Sequence, residues 1–332
     1  MPRFFDAAPI LPWSTWLKRK MLSYETIAPK ILYPSNTDVP LSPTGVPYKV
    51  CSSKQATEYS AFLELHYCPK KESVKLRIPS DHLQVEMEMA TLIGVEVRTD
   101  THELVGLVWS RLLGHIDSEP TRLITWFCVH PNWRKRGLAD YLLYAIRQAS
   151  SPTHIFWFRN DGLPKSLIPP VWTQKQIVRT IKGSRSLRLL RMSHEAIQEK
   201  CMEYWKRKNP TGICIDPKGV PPILEWYSIQ TKLSGAEYSY AVLVANLFEY
   251  RQTESTCEIV DWFPLQKEAP KDIERFILDE IVSLLPYNRV EAPEAMPHIE
   301  SLWNPSLPTS WFVYGYDVGT PVIRPILSLT FA

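Results

Sequence analysis

The stretch Ile124-Thr125-Trp126-Phe127-Cys128-Val129-His130-Pro131-Asn132-Trp133-Arg134-Lys135-Arg136-Gly137-Leu138-Ala139 carries the most usable chemistry in the chain. It reads as an apolar strand, a basic turn and a helix that opens at Gly137. An opening helix leaves main-chain N–H groups unpaired and brings the positive end of its dipole to the same point. That arrangement binds phosphate. Gly137 and Ala139 are small enough for a diphosphate to approach the backbone, and Arg134, Lys135 and Arg136 add charge. A solvated basic loop at a strand–helix junction fits the same residues taken alone. Cys128 and His130 lie two apart, so on a strand both point to one face, as a Cys/His nucleophile pair would.

The elements that must position this stretch are readable on both sides of it. Strands Leu92–Arg98 and Leu104–Leu112 are joined by the turn Thr99-Asp100-Thr101-His102, and a third strand runs from Arg122 to His130. In the helix, Leu138, Tyr141, Leu142, Ala145 and Ile146 fall at i, i+3, i+4, i+7 and i+8, one buried stripe. A fourth strand follows at His154–Phe158. Upstream, a helix is predicted over 53–67, with Ser52 and Gln55 at capping-box spacing and Tyr59, Phe62, Leu63 and His66 on one face. Downstream the order recurs, with strands Ile223–Lys232, Glu237–Tyr250 and Glu258–Phe263. A helix over 270–285 has Ile273, Phe276, Ile277, Ile281 and Leu284 on one stripe. Final strands are predicted at Trp311–Asp317 and Val322–Phe331. Element order repeats without sequence repetition, which points to a duplicated fold.

Residues 1–50 are rich in proline and read as an extended arm that wraps a core. The segment 174–208 has ten Lys/Arg against three Glu, and a short helix is predicted over 193–207 with Ile197, Cys201, Tyr204 and Trp205 inward. Leu187, Leu189 and Leu190 interleave its charges, so it reads as a solvated face between two halves and not as a nucleic-acid site.

Composition sets the outer bounds. A chain of 332 residues, 45% hydrophobic and 22% charged, suits two domains or one doubled domain with a large core. The net charge, 38 − 35 = +3, does not call for nucleic acid. The longest strongly apolar run, Tyr240 to Phe248, is about half of what a spanning helix needs. The start MPRFFDAAPILPW carries no cleavable signal pattern. Six cysteines are scattered with no C-x-x-C, so neither a metal site nor a disulfide framework is expected. The expected compartment is reducing and cytoplasmic. Twenty-nine prolines against 12 glycines imply stiff, extended connections.

The spacing Arg134-x-x-Gly137-x-Ala139 resembles the acyl-CoA-binding motif of the GNAT acetyltransferase superfamily, and three strands before it and one after match that superfamily's arrangement. A closer resemblance emerges outward. Phe127-Cys128-Val129-His130, followed by Arg134 and Leu138-Ala139, resembles the motif of N-myristoyltransferases, with Trp126 and Phe127 where the family has Phe-Leu. Arg3-Phe4-Phe5-Asp6-Ala7-Ala8-Pro9-Ile10 is similar to the family's N-terminal Phe-Trp-x-Thr-Gln-Pro-Val. Leu104-Val105-Gly106 matches a strand there. Trp311-Phe312-Val313-Tyr314-Gly315-Tyr316 resembles the family's aromatic penultimate strand and lies at about the family's distance from the C-terminus. The likeness thus runs through the whole chain, with a shorter middle third.

This resemblance implies an α+β fold of two fused GNAT-like halves, each a mixed, mostly antiparallel twisted sheet flanked by helices. Residues 1–50 would be an arm contributing to the CoA site, 51–172 the acyl-CoA-binding half, and 173–332 the acceptor half. The implied activity is transfer of myristoyl from myristoyl-CoA, a co-substrate, to the N-terminal glycine amine of a protein. No permanently bound cofactor and no metal is implied, and a monomer is expected. CoA contacts would fall on Phe4, Phe5 and Asp6 of the arm, on Phe127, Cys128 and Val129, and on Arg134, Lys135, Arg136, Gly137, Leu138 and Ala139. The backbone N–H groups of Trp126 and Phe127 would polarise the thioester carbonyl. Such fixed donors are each worth ~3 kcal/mol. The amine's proton would go to the α-carboxylate of Ala332, whose basicity burial would have to raise. The run Val322 to Phe331 before it is apolar, although a frayed end is the plain alternative. The family's Cys/His pair is not catalytic.

Departures from the pattern cluster on the acceptor side. Asn304-Pro305-Ser306-Leu307-Pro308-Thr309-Ser310 replaces the family's Gly-x-Gly-Asp-Gly loop, and prolines cannot copy glycine backbone angles. Phe158-Arg159-Asn160-Asp161-Gly162 stands for Tyr-Thr-Ala-Gly. Where the family has an acidic loop, Tyr67-Cys68-Pro69-Lys70-Lys71-Glu72-Ser73-Val74-Lys75 is basic. A GNAT-type acetyltransferase and a non-catalytic acyl-CoA-binding or structural protein are therefore the competing readings.

Overall fold

The computed structural model describes residues 30–31, 47–67, 74–116, 119–150, 155–161, 172–174, 176–180, 190–192, 223–233, 235–251, 254–266, 268–293, 304–305, 309–314 and 316–317. The helix read over 193–207, the last strand and nearly all of the arm lie outside them. Two residues of the arm form β1 (Lys30–Ile31), which pairs antiparallel with β17 (Tyr316–Asp317).

The first half starts with β2 (Lys49–Val50), a 3-10 turn (Ser53–Gln55) and α1 (Ala56–His66). The capping-box reading is corrected here. Ser52 makes no side-chain cap. Gln55 Oε1 instead accepts from the Tyr59 hydroxyl at 3.0 Å, and that hydroxyl accepts from the Ser52 N–H at 3.2 Å. A buried tyrosine has replaced the local cap. Next come β3 (Val74–Leu76) and α2 (Ser80–Glu88), a helix the apolar periodicity does not reveal. The predicted strands then follow as β4 (Leu92–Arg98), β5 (Leu104–Ile116) and β6 (Glu119–Val129). α3 (Leu138–Ser150) leads to β7 (Ile155–Asp161), which lies parallel to β6.

β8 (Trp172–Gln174), β9 (Gln176–Thr180) and β10 (Leu190–Met192) connect the halves. The second half repeats the motif. β11 (Leu224–Leu233), β12 (Ala236–Arg251) and β13 (Glu254–Pro264) are antiparallel, α4 (Lys271–Leu284) follows, and β14 (Arg289–Pro293) returns parallel to β13. β15 (Asn304–Pro305) and β16 (Thr309–Tyr314) come last before β17. The strand predicted at Trp311 does not close the second half. β14 does that, and β16 crosses over to pair with β7 of the first sheet. β9 pairs with β14 of the second sheet, and β3 of the first half pairs with β12 there. The sheets run β2-β4-β5-β6-β7-β16-β8 and β10-β11-β12-β13-β14-β9-β15, with β3 beside β12, so β3 and β16 are exchanged between the halves.

Period-two alternation makes the layers. On β12, Tyr240, Val242 and Val244 face α4, while Ala241, Leu243 and Ala245 join the core shared with the first half. The outer face of the first sheet packs Val95, Val97, Val105 and Val108 against Leu138, Tyr141, Leu142, Ala145 and Ile146 of α3, the predicted stripe. Gly106 admits that helix, since a Cβ there would stand 2.9 Å from Leu142 Cδ1. The shared middle core holds Tyr59, Phe62 and Leu63 of α1 with Trp109, Trp126 and Trp157, and across from them Trp226, Leu243 and Phe263. The molecule is thus helix, sheet, common core, sheet, helix. Arg98 ties α1 to β4, donating to both Glu58 oxygens at 2.7 Å and to both Glu96 oxygens at 3.0 and 2.9 Å.

Candidate active site

The site begins where β7 stops following β6 and the pairing of β6 with β5 becomes irregular. Its parallel pairing with β7 ends at Ile124↔Phe158, yet β6 continues to Val129. Among the described residues no strand covers that edge from Thr125 onward. On the other side, β5 pairs Trp109↔Thr125 and then Leu107↔Cys128. Trp126 and Phe127 therefore stand opposite the single residue Val108. This is a β-bulge, the device by which a strand re-aims its main chain. Trp126 has φ 44°, a left-handed value that a non-glycine residue holds at a cost of about 1–2 kcal/mol. The two residues read as thioester-polarising donors are the two in the bulge.

From the bulge the chain runs directly into the basic turn. His130 caps a 3-10 turn (Pro131–Trp133), its Nδ1 accepting from the Asn132 N–H at 3.3 Å. Arg134 works on the protein's own carbonyls. Its Nε donates to Val129 O at 3.0 Å and its Nη2 to His66 O at 3.1 Å, which satisfies the last residue of α1. It joins the end of α1, the end of β6 and the turn. Lys135 and Arg136 are exposed, and the Arg136 guanidinium lies 5.3 Å over the Trp133 ring. Lys135 (φ 63°) and Gly137 (φ 79°) are both left-handed, which turns the main chain sharply into α3. Leu138 is buried and anchors the helix, whereas Ala139 is exposed in its first turn beside Asp140. A helix N-terminus entered through a left-handed glycine with two exposed cations fits a phosphate.

The His66 and His130 rings meet edge-to-face, 4.4 Å between centroids. Burial, then the neighbouring His130 and Arg134, hold His66 below the ordinary histidine value, so it is neutral near pH 7. Cys128 faces the core, and burial pushes its thiol up to about 12 against a weaker pull from Arg134. A thiol that stays protonated is a poor nucleophile, which removes the Cys/His reading. Phe4, Phe5, Asp6 and Ala332 lie outside the described residues.

The sequence reading missed what stands behind Trp126. Arg111 of β5 places its guanidinium 4.4 Å from the centroid of the Trp126 ring and pairs with Glu86 of α2. Phe248 of β12 meets the same ring edge-on at 6.4 Å. A lone arginine inside the apolar run Leu104–Ile116 was the available signal.

No protein-family model matches the chain, and no curated protein matches it in sequence. Solved structures do. The two fused halves, with their bulged third strand and helix opening, are of the GNAT-like α+β fold class. Within that class the chain has the N-myristoyltransferase fold. It is similar to N-myristoyltransferase of Saccharomyces cerevisiae with bound myristoyl-CoA, at 11% identity over 95% of this chain and 92% of that one, with a TM-score of 0.61. It also resembles the yeast enzyme with myristoyl-CoA and inhibitors, again 11% identical, over 95% of this chain and 90% of that one, with a TM-score of 0.65.

Proposed function

We propose that this chain is an acyl-CoA-dependent N-acyltransferase that moves a myristoyl group from myristoyl-CoA to the N-terminal glycine amine of a protein. One observation carries the reading. The bulge at Trp126-Phe127 and the left-handed helix entry at Gly137 lie on one uninterrupted run of chain, at the edge that β7 has left. A thioester carbonyl at the first and a diphosphate at the second would be held by the same molecule of acyl-CoA. In this reading Lys135, Arg136 and the N–H groups of the first turn of α3 hold the diphosphate. Phe4, Phe5 and Asp6 pack on the CoA, and Phe127, Cys128 and Val129 border its thioester end.

The amine nitrogen attacks the thioester carbonyl carbon, the developing oxyanion rests on the N–H groups of Trp126 and Phe127, and the C–S bond breaks as the nitrogen's second proton passes to the leaving sulfur, which releases CoA as its thiol. The α-carboxylate of Ala332 takes the proton that the ammonium must lose before attack. The division of labour is an arm over 1–50, an acyl-CoA half over 51–172 and an acceptor half over 173–332.

The test is peptide-dependent release of CoA thiol from myristoyl-CoA in the presence of peptides that begin with glycine. Release with them, and none with N-acetylated controls, is the expected result. Release that ignores the amine would contradict N-acylation. One observation favours a second reading, transfer of a short acyl group. Trp109, Trp126 and Trp157, each no more than 2% exposed, occupy the core face beside the bulge where a long chain would need room.

A further inference from the structure

Arg111 and Glu86 are both fully buried, at 0% exposure, in the core shared by the two halves. Nε and Nη2 of Arg111 donate to the same oxygen, Oε2 of Glu86, at 3.2 and 3.0 Å. The other carboxylate oxygen bonds His82 Nε2 at 3.1 Å, and among the described residues Nη1 of Arg111 has no hydrogen-bond partner. Burying an ion pair here is poor value as a source of stability, because desolvation offsets the attraction and hydrocarbon of the same volume commonly does as well. Its position is more telling. The flat guanidinium lies on the indole of Trp126, the one residue of β6 with a left-handed φ.

The opposite half completes the grip. Phe248 meets the Trp126 ring edge-on, and His82 meets Phe248 edge-to-face at 4.7 Å. Phe248 is itself left-handed, at φ 52°, in an irregularity of β12 between Asn246 and Tyr250. Its N–H donates to Asn246 Oδ1 at 2.9 Å and its carbonyl accepts from the Arg77 N–H at 2.9 Å. Two irregular strands, one from each half, therefore meet through Trp126 and Phe248. The Glu86–Arg111 pair supports the first of them from behind.

We propose that Arg111, oriented by Glu86, is a positioning residue for acyl transfer: it clamps the Trp126 indole and so holds the bulge whose N–H groups receive the thioester oxyanion. This rests on the acyltransferase reading given above. It is independent of acyl length and of the acceptor.

The test uses the double variant Glu86→Leu/Arg111→Met, which removes both charges together and avoids a stranded buried ion. It should fold with thermal stability near that of the parent and bind myristoyl-CoA within about threefold of it. Its kcat should fall roughly 10²-fold with little change in KM, the scale of a misplaced oxyanion donor. Amide hydrogen exchange at Trp126, Phe127 and Cys128 should quicken relative to the rest of β6. An unchanged kcat together with unchanged exchange overturns the proposal and leaves the pair a packing feature. If the parent protein transfers no acyl group at all, the acyltransferase reading fails by itself. The exchange comparison still decides whether the pair holds the bulge.

Discussion

Gly137→Glu should lose measurable affinity for CoA and acyl-CoA, a fall of at least about 10²-fold in titration calorimetry, while the protein stays folded. Two effects add. Gly137 sits at φ 79°, where a side chain costs about 1–2 kcal/mol of backbone strain. The new carboxylate would then stand on the N–H groups that must receive the diphosphate. In the fold, part of that strain is offset, since a negative charge at a helix N-terminus is favourable by a few tenths to 1 kcal/mol. Gly137→Ala separates the two effects. It keeps the strain without the charge, and should lower stability slightly while retaining most of the affinity. Normal CoA affinity in Gly137→Glu would remove this turn from the phosphate site.

The second large effect concerns the acceptor's proton. Extending the chain by a few residues beyond Ala332 should cut turnover by about 10²–10⁴-fold, the usual contribution of a positioned base, and leave acyl-CoA binding unchanged. The comparison is kcat against the Kd for acyl-CoA in the same preparation. Full turnover in the extended protein would take the terminal carboxylate out of the reaction. The side chain of Cys128 offers no ready substitute, because burial keeps its thiol protonated.

Much of the frame was legible in the sequence because its signals are local and apolar. α3 shows the clearest case. Leu138, Tyr141, Leu142, Ala145 and Ile146 form the predicted stripe, and all are buried against β4 and β5. α2 shows the opposite. Its two buried residues are Leu83 and Glu86, so no apolar period exists to read. What buries Glu86 is an arginine 25 residues away on β5, and only the folded chain brings them together. The same holds for β14, whose Arg-Val-Glu-Ala-Pro has little strand character until β13 and β9 flank it. At the site, residue types located the strand–turn–helix run correctly. The bulge at Trp126 could not be read there, since it depends on register between β5 and β6. The double duty of Arg134 on main-chain carbonyls was equally invisible, for its partner His66 belongs to another element.

In the proposed function the edge of β6 and the entry to α3 together hold an acyl-CoA. The most direct test is thermal stability in the presence of free CoA and a series of acyl-CoAs from acetyl to palmitoyl. A ligand that binds only the folded protein stabilises it by RT ln(1 + [L]/Kd), about 2.7 kcal/mol at a hundredfold excess over Kd. The shift should rise through the series, with a maximum near myristoyl-CoA. Equal shifts for acetyl-CoA and free CoA would confine the site to the nucleotide and a short acyl group. No shift with any of them would contradict the account.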